Sequence, residues 1–194
     1  FADGYLNLRK SRAIGGYLDY QSGNWQWRGG MAGIRFKHSM PEPIGDLQSA
    51  LRASGVASAV RAADDLDLQG TDVHYYSFGV VYDRGPLFLQ AMLGRFSYET
   101  RAINDQDSAM FLAGYRMGEF KPFLGYSKVK SKRVHASSGL PDVGQGAVIN
   151  AALAEVLGHS YANQHTVSMG VRWDFRRDMA LKFQADLIRG HSDS

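Results

Sequence analysis

The sequence predicts an all-β protein, whose antiparallel, up-and-down strands form part of a transmembrane β-barrel. Three observations lead to this prediction. Polar and apolar residues alternate over eight segments, short and long connections alternate between them, and a run of about 18 apolar residues for a transmembrane helix is absent. The predicted strands cover residues 12–21, 25–37, 72–83, 86–99, 107–117, 120–132, 164–176 and 179–190.

The alternation is clearest in the seventh segment. Val167, Met169 and Val171, continued by Trp173 and Phe175, fall on one face of the strand, and the residues between them are polar or glycine. The apolar faces have aromatic residues at their ends, and the other faces combine glycine with charged residues. This distribution is typical of a barrel with a lipid-facing outside and a water-filled inside. A soluble barrel or sandwich with its apolar face turned inward shows the same alternation and remains an alternative.

The connections distinguish these two arrangements. Short hairpin turns are predicted at 22–24, 84–85, 118–119 and 177–178. The connections between them are long and cover about 38–71, 100–106 and 133–163. Regular alternation of this kind is the pattern of outer-membrane barrels, which have short periplasmic turns and long outer loops.

The order of the connections leads to a second expectation. A complete eight-stranded bacterial barrel has both ends in the periplasm, so its first connection is a long outer loop, whereas here the first connection is short. The sequence therefore predicts one barrel portion over 1–194, from the interior of a larger barrel of about 16 strands.

Composition and motifs exclude several other classes of protein. The 22 basic and 19 acidic residues give a net charge of +3, and the basic residues are scattered, which argues against a nucleic-acid partner. Because cysteine is absent, disulfides and thiolate metal sites are excluded. No metalloprotease, serine-hydrolase, P-loop or dinucleotide-binding motif is present. We therefore expect no enzyme, no cofactor and no metal.

Two weak hints of catalysis remain in the sequence. His165 with Ser168 is a combination found in hydrolases, and Asp174 with Asp186 places two carboxylates on adjacent strands. Carboxylates in a polar lumen more commonly line a pore.

Four hairpins carry a resemblance to a known family. Residues 16–28, 82–93, 114–129 and 170–186 resemble the strand–turn–strand units of porin-like outer-membrane proteins of Gram-negative bacteria. The resemblance implies passive diffusion of small hydrophilic solutes or ions, contact with the lipid bilayer and with lipopolysaccharide, and a homotrimer. It also implies an inward loop that faces basic wall residues. Members normally end on an aromatic residue, whereas this chain ends on Ser194.

Charged residues on the polar faces are the candidate pore-lining residues. Charges of both signs either create a field across the lumen or pair with one another in the wall. Bulges at Gly15-Gly16 and Gly29-Gly30 are expected to shift which residues face inward. The candidates are the basic residues Arg28, Arg116, Lys121, Arg172 and Lys182 and the acidic residues Asp19, Asp83, Asp174 and Asp186.

The two longest connections contain predicted helices. One begins with Asp46 as N-cap and stops at Gly55, and the chain then leads to Asp64, Asp65 and Asp67. This acidic cluster either folds into the lumen as a constriction or stays in a solvated outer loop. A helix over 147–157, ending at Gly158, either packs in the pore mouth or against a neighbouring subunit, or covers its own rim.

The sequence thus predicts a diffusion channel in the bacterial outer membrane. The alternatives are a soluble β-barrel that binds a small apolar ligand and a non-conducting outer-membrane scaffold barrel.

Overall fold

The computed structural model of the chain describes residues 11–37, 44–100, 103–132, 136–159 and 161–190. The parts of the predicted loops at 38–43, 101–102, 133–135 and 160 lie outside the described residues. The elements are β1 (Arg12–Ser22), β2 (Trp25–Arg35), α1 (Ile44–Ala53), α2 (Ala57–Asp65), β3 (Asp72–Arg84), β4 (Leu87–Tyr98), β5 (Gln106–Tyr115), β6 (Phe120–Ser131), α3 (Gln145–His159), β7 (Asn163–Arg176) and β8 (Met179–Gly190).

The eight strands form a single sheet in the order of the chain, and each strand is antiparallel to the next. The predicted all-β, up-and-down fold is confirmed, and every predicted strand boundary lies within two residues of the observed one. The described sheet is open, because β1 and β8 pair only with β2 and β7. Strands of 10 to 14 residues are long enough for a tilted strand to cross a bilayer, which takes about 9–11 residues.

The prediction of β-bulges at the two glycine pairs is wrong. Gly15, Gly16, Gly29 and Gly30 all keep a regular register between β1 and β2. The register shift instead lies between Trp173 and Arg176, where β7 approaches its turn. Pairing along the middle of the strand, on both sides of β2 and on one side of β1, holds these glycines in register. The end of the β7–β8 hairpin, next to its turn, is where a bulge disturbs the least pairing.

Three of the four short turns contain a glycine with positive φ, and backbone hydrogen bonds join neighbouring turns. Gly23, Gly85 and Gly118 have φ of 57°, 54° and 61°, a conformation that hairpin turns require and that glycine adopts without strain. Backbone hydrogen bonds then connect each turn region to the next. The N–H groups of Asp83, Arg116 and Asp174 donate to the carbonyls of Asn24, Pro86 and Glu119 at 2.9, 2.7 and 2.8 Å.

The long connections assemble into what we call the helical cap, which consists of α1, α2 and α3. Its apolar faces form one buried cluster, and polar bonds join the three connections. Ser58 Oγ donates to the Ser138 carbonyl at 2.7 Å, and Thr100 Oγ1 donates to the Asp65 carbonyl at 2.9 Å. The buried residues of the cluster are Leu47, Leu51, Ala59, Ala62, Ala63, Leu66, Ile149, Leu153 and Val156.

The helix boundaries differ in part from the prediction. Helix α1 begins at Ile44, so Asp46 lies in the first turn and not at the N-cap. Its carboxylate in the first turn still interacts favourably with the positive end of the helix dipole. Gly55, with φ of 68°, lies just beyond the end of α1, as predicted. Helix α3 runs through Gly158 to His159, because cap packing outweighs the modest helical cost of one glycine. Within the described ranges, no helix is long and apolar enough to span a bilayer, a finding that concerns helices alone.

Candidate functional site

The strand register divides the sheet into two chemically different faces. Residues paired directly across antiparallel strands share a face, and Asp19 pairs with Arg28 while Arg172 pairs with both Lys121 and Lys182. We call this side the charged face and the opposite side the apolar face. The charged face carries all nine candidate residues: Asp19, Arg28, Asp83, Arg116, Lys121, Arg172, Asp174, Lys182 and Asp186.

Two bidentate ion pairs lie on the charged face. Arg28 donates from Nε and Nη2 to the two carboxylate oxygens of Asp19 at 2.6 and 2.8 Å. Arg116 donates from Nη1 and Nη2 to those of Asp83 at 2.6 and 2.7 Å, and to the Gly85 carbonyl at 3.0 Å. The hydrogen bonds to Asp83 raise the pKa of Arg116. Both pairs therefore have the planar geometry that is strongest for arginine and a carboxylate.

A third cluster is shared between β6 and β7. The carboxylate of Asp174 accepts from Lys121 Nζ at 2.5 Å and from Arg172 Nε at 2.6 Å. The two charged residues on β8 are arranged differently. Lys182 Nζ lies 4.7 Å from the centre of the Phe123 ring, and Asp186 accepts from Gln184 Nε2 at 2.8 Å.

The wall charges are therefore largely paired. Seven of the nine candidates belong to the three clusters, whereas Lys182 and Asp186 have no opposite charge within 4.0 Å in the part of the chain described. The face has five basic and four acidic candidates, and 5 − 4 leaves a charge of +1. Of the two arrangements that the sequence allowed, mutual pairing describes most of the wall, and a field across it is left to the β8 residues.

The glycines show that the sheet curves toward the charged face. A Cβ added at Gly15, Gly30 or Gly94, on the charged face, would lie 2.9, 3.0 or 2.7 Å from the nearest atom of a neighbouring strand. At Gly16 and Gly29, on the apolar face, it would meet nothing within 4 Å. Neighbouring Cβ positions converge on the concave side of a sheet and diverge on the convex side. The charged face is therefore the concave one.

Small residues occupy the middle of this concave face. They alternate there with larger side chains such as Met92, Met110 and Phe123, while the charged clusters lie mainly toward the short turns. The crowding is uneven: a Cβ at Gly79 or Gly125 would meet its nearest atom at 3.5 Å, and one at Gly190, on the open edge, would meet nothing within 4 Å. The small residues are Gly30, Ser77, Gly79, Gly94, Ser108, Gly125, Ser127, Ser168 and Gly170.

No residue that the structure describes covers the apolar face. Leu18, Met31 and Phe183 expose 75%, 64% and 61% of their surface, although each lies in the middle of a strand. Aromatic rings collect at its short-turn end, where Trp25 lies 4.7 Å from Tyr82 and Phe120 lies 5.7 Å from Trp173, measured between ring centroids. An uncharged band edged by aromatic residues is what a barrel presents to lipid and its headgroup boundary.

The acidic cluster of the first long loop makes contacts inside the cap. Asp64 accepts from Arg52 Nη2 at 3.0 Å, and the carboxylate of Asp67 accepts from the Gln69 N–H at 3.0 Å. Beyond the end of α2, Leu68 packs with Val73 and Tyr98, which both lie on the charged face, so the end of this long connection lies against that face. The role of Asp64, Asp65 and Asp67 as a constriction stays a prediction.

The two hints of catalysis find no support in the geometry. His165 lies on the apolar face and Ser168 on the charged face, so the sheet separates them. Asp186 is paired with Ser168, six residues along β7 from Asp174, which corresponds to about 20 Å. Among the residues that the structure describes, no group of three or more His, Asp or Glu side chains is placed to hold a metal ion.

The sequence reasoning missed a set of charges at the long-loop end of the apolar face. The signal was available, because they continue the same period-two pattern beyond the last apolar position of each strand. They are Arg12, Arg35, Asp72, Arg95, Asp107, Lys128, Lys130 and Arg189.

No protein-family model and no curated protein matches the sequence. Among solved structures, the chain is similar to OmpT, an outer membrane protein of Vibrio cholerae that was folded in vitro, in its trimer form. The sequence identity is 14% and the TM-score 0.53, over 93% of this chain and 46% of that one, so this chain spans about half the length of that protein. The likeness shows the fold, which is that of an outer-membrane β-barrel wall.

Proposed function

We propose that this chain forms part of the wall of a porin-like channel in the bacterial outer membrane, through which small hydrophilic solutes or ions diffuse passively. One observation carries the proposal. All nine candidate charges lie on the concave face, while the convex face carries an apolar band that no described residue covers. A wet interior and a lipid-facing exterior require this distribution, and a soluble barrel that binds an apolar ligand requires its reverse.

The wall chemistry favours diffusion over tight binding or catalysis. Bidentate pairs such as Arg28–Asp19 cancel most of the local field, and small residues such as Gly30 and Ser77 lie between the clusters. With a candidate charge of only +1 on this part of the wall, we expect weak ion selectivity. The proposal includes neither a catalytic role nor a cofactor.

The proposed surroundings follow from the apolar face. Its band contacts lipid, and its aromatic end, which includes Trp25 and Trp173, lies at the periplasmic headgroups. The long-loop end then faces the outer leaflet and its lipopolysaccharide. A homotrimer is part of the proposal, supported by the trimer form of the similar Vibrio cholerae protein.

Planar-bilayer recording with the full-length protein tests the proposal. We expect the protein to require detergent for extraction and to produce stepwise, ohmic conductance after insertion. A monodisperse protein without detergent, combined with no conductance, would contradict it.

A second candidate is a scaffold barrel that inserts but does not conduct. The contact of Leu68, which follows α2, with Val73 and Tyr98 on the charged face favours it, because it places the end of the first long connection on that face. The same recording separates the two candidates, because a scaffold protects its strands from protease in vesicles and yet passes no current.

A further inference from the structure

Three basic side chains and a histidine lie on neighbouring strands at the long-loop end of the apolar face. Lys128 on β6 pairs with His165 on β7, and His165 pairs with Arg189 on β8. Lys130 lies two residues further along β6 on the same face, about 7 Å from Lys128 between Cα atoms. We call Lys128, Lys130, His165 and Arg189 the basic patch.

The basic patch lacks acidic partners. Lys128, Lys130 and Arg189 are exposed and make no ion pair within the described residues. The carboxylate that comes nearest in register is Asp107, opposite Lys130, and it already lies 3.7 Å from Arg95. Three cations, Lys128, Lys130 and Arg189, therefore have a single carboxylate near them in register. Like charges on adjacent strands repel, so this arrangement gains stability when an anion from outside the chain lies among them.

The charged wall of the same sheet provides a contrast. There, seven of nine charges are paired with neighbours in three clusters. At this end of the apolar face, by contrast, Lys128, Lys130 and Arg189 stand close together on three neighbouring strands without an ion pair among the described residues. They point away from the lumen and are unsuited to act on a solute that passes through it.

The depth of the patch on the apolar face indicates what the anion is. The cations follow directly on Tyr126, Val167 and Leu187, which are the last apolar positions of their strands, and the Tyr126 ring lies 6.3 Å from that of His165. This is the level at which an apolar band ends and lipid headgroups begin. Lysine and arginine there extend from the apolar surface to anionic headgroups.

We infer that Lys128, Lys130 and Arg189 bind the phosphate of an anionic lipid in the leaflet at the long-loop end, with His165 as an additional hydrogen-bonding group. The inference rests on the proposed position in the membrane. Several cations around one multiply charged oxyanion, with an arginine that offers two parallel N–H groups, is the arrangement that recognises phosphate. Because the acyl chains of such a lipid would lie on the exposed apolar face below the patch, the lipid is favoured over free phosphate.

A lipid titration of the full-length protein tests the inference. The protein is placed in nanodiscs of neutral phosphatidylcholine, and lipid A is added as the phosphate-bearing probe. The variant K128Q/K130Q/R189Q should bind lipid A more weakly by about fivefold for each cation removed. The control K37Q/R52Q/R61Q removes the same number of positive charges, one after β2, one on α1 and one on α2. It should bind lipid A like the unmodified protein. Inorganic phosphate should compete poorly.

The outcomes separate the inference from the proposed function. Unchanged affinity in K128Q/K130Q/R189Q, or equal loss in the control, would overturn the inference, as would efficient displacement of the lipid by inorganic phosphate. Conductance is recorded for both variants in neutral bilayers. If the protein conducts but lipid binding is insensitive to the patch, only the lipid inference fails. If lipid binding depends on the patch but no variant conducts, the lipid site stands and the channel fails.

Discussion

The helical cap and the sheet place their apolar side chains in opposite ways. In the cap, Leu51, Leu66 and Ala63 are fully buried against other helices of the same chain. In the sheet, Ile14 exposes 83% of its surface, and among the described residues Val73 is the only buried hydrophobic residue with a side chain that belongs to a strand. The cap therefore carries its own hydrophobic core, whereas the sheet has only the small cluster around Leu68 and Val73 at its long-loop end.

In the proposed membrane position, this difference fits two regions built for different solvents. The strands satisfy their backbone polar groups in the ladder, which lets their apolar side chains face lipid. The cap faces water, and its helices are stable only because they cover one another. The four predictions below test this contrast, in order from the largest expected effect to the smallest.

The substitution Leu51→Ala should unfold the cap without disrupting the sheet. It removes a fully buried side chain from the cluster, at an expected cost of about 2–5 kcal/mol. Hydrogen exchange should show loss of protection over α1, α2 and α3 alone. Ser49→Ala, on an exposed position of α1, is the matched control. Loss of protection in the strands as well would show that the two regions fold as one.

A charge in the apolar band should act on the sheet and spare the cap. Phe111→Arg places a cation in the middle of the lipid-facing side of β5, at an expected cost of about 2–4 kcal/mol. Met110→Arg puts the same group one residue away on the charged face and should cost much less. Urea unfolding in lipid vesicles measures both variants. Equal costs would mean that the assignment of the two faces is incorrect.

Loss of one polar link should loosen the cap slightly. Ser58→Ala removes the hydrogen bond to the Ser138 carbonyl, which joins the first and third long connections. Because that bond is partly buried, we expect a cost of about 0.5–1.5 kcal/mol. Protease cleavage within 136–144 should become faster, while cleavage in the sheet stays unchanged. Equal cleavage rates before and after the substitution would show that the link is not needed.

Breaking one wall pair should change ion preference and leave stability almost unaffected. Asp19→Asn leaves Arg28 unpaired, so the reversal potential in a salt gradient should shift in the direction of greater anion selectivity. Arg28→Gln should shift it in the direction of greater cation selectivity. The double variant should return close to the original value. Because the screening length falls from about 10 Å at 0.1 M salt to about 3 Å at 1 M, the shifts should shrink as salt increases. Shifts of the same sign in both single variants would contradict the pore-lining assignment.

The sheet was predictable because its code is local. A period of two over ten or more residues, as in β7, specifies both a strand and its two faces, and hairpin turns with Gly23 or Gly85 fix the neighbours. The pair Asp19–Arg28 also follows from this code, since the short turn places the two residues opposite each other.

What escaped prediction depends on contacts between distant segments. Asp83 and Arg116 lie 33 residues apart and meet only because two different turns come together. The cap joins three loops through residues such as Ser58 and Ser138, which no local pattern relates. The basic patch combines residues of three strands that come together only through the register of β6, β7 and β8.

The hydrogen bonds that connect the short turns have a consequence for protein engineering. Because Asp83, Arg116 and Asp174 each donate a backbone bond to the preceding turn region, every hairpin is fastened to its neighbour as well as to itself. A chain opened at one of these turns would keep both new ends in place. This rim is therefore the place to split the molecule into complementing fragments or to insert a reporter domain, whereas a break inside the cap would separate helices that depend on one another.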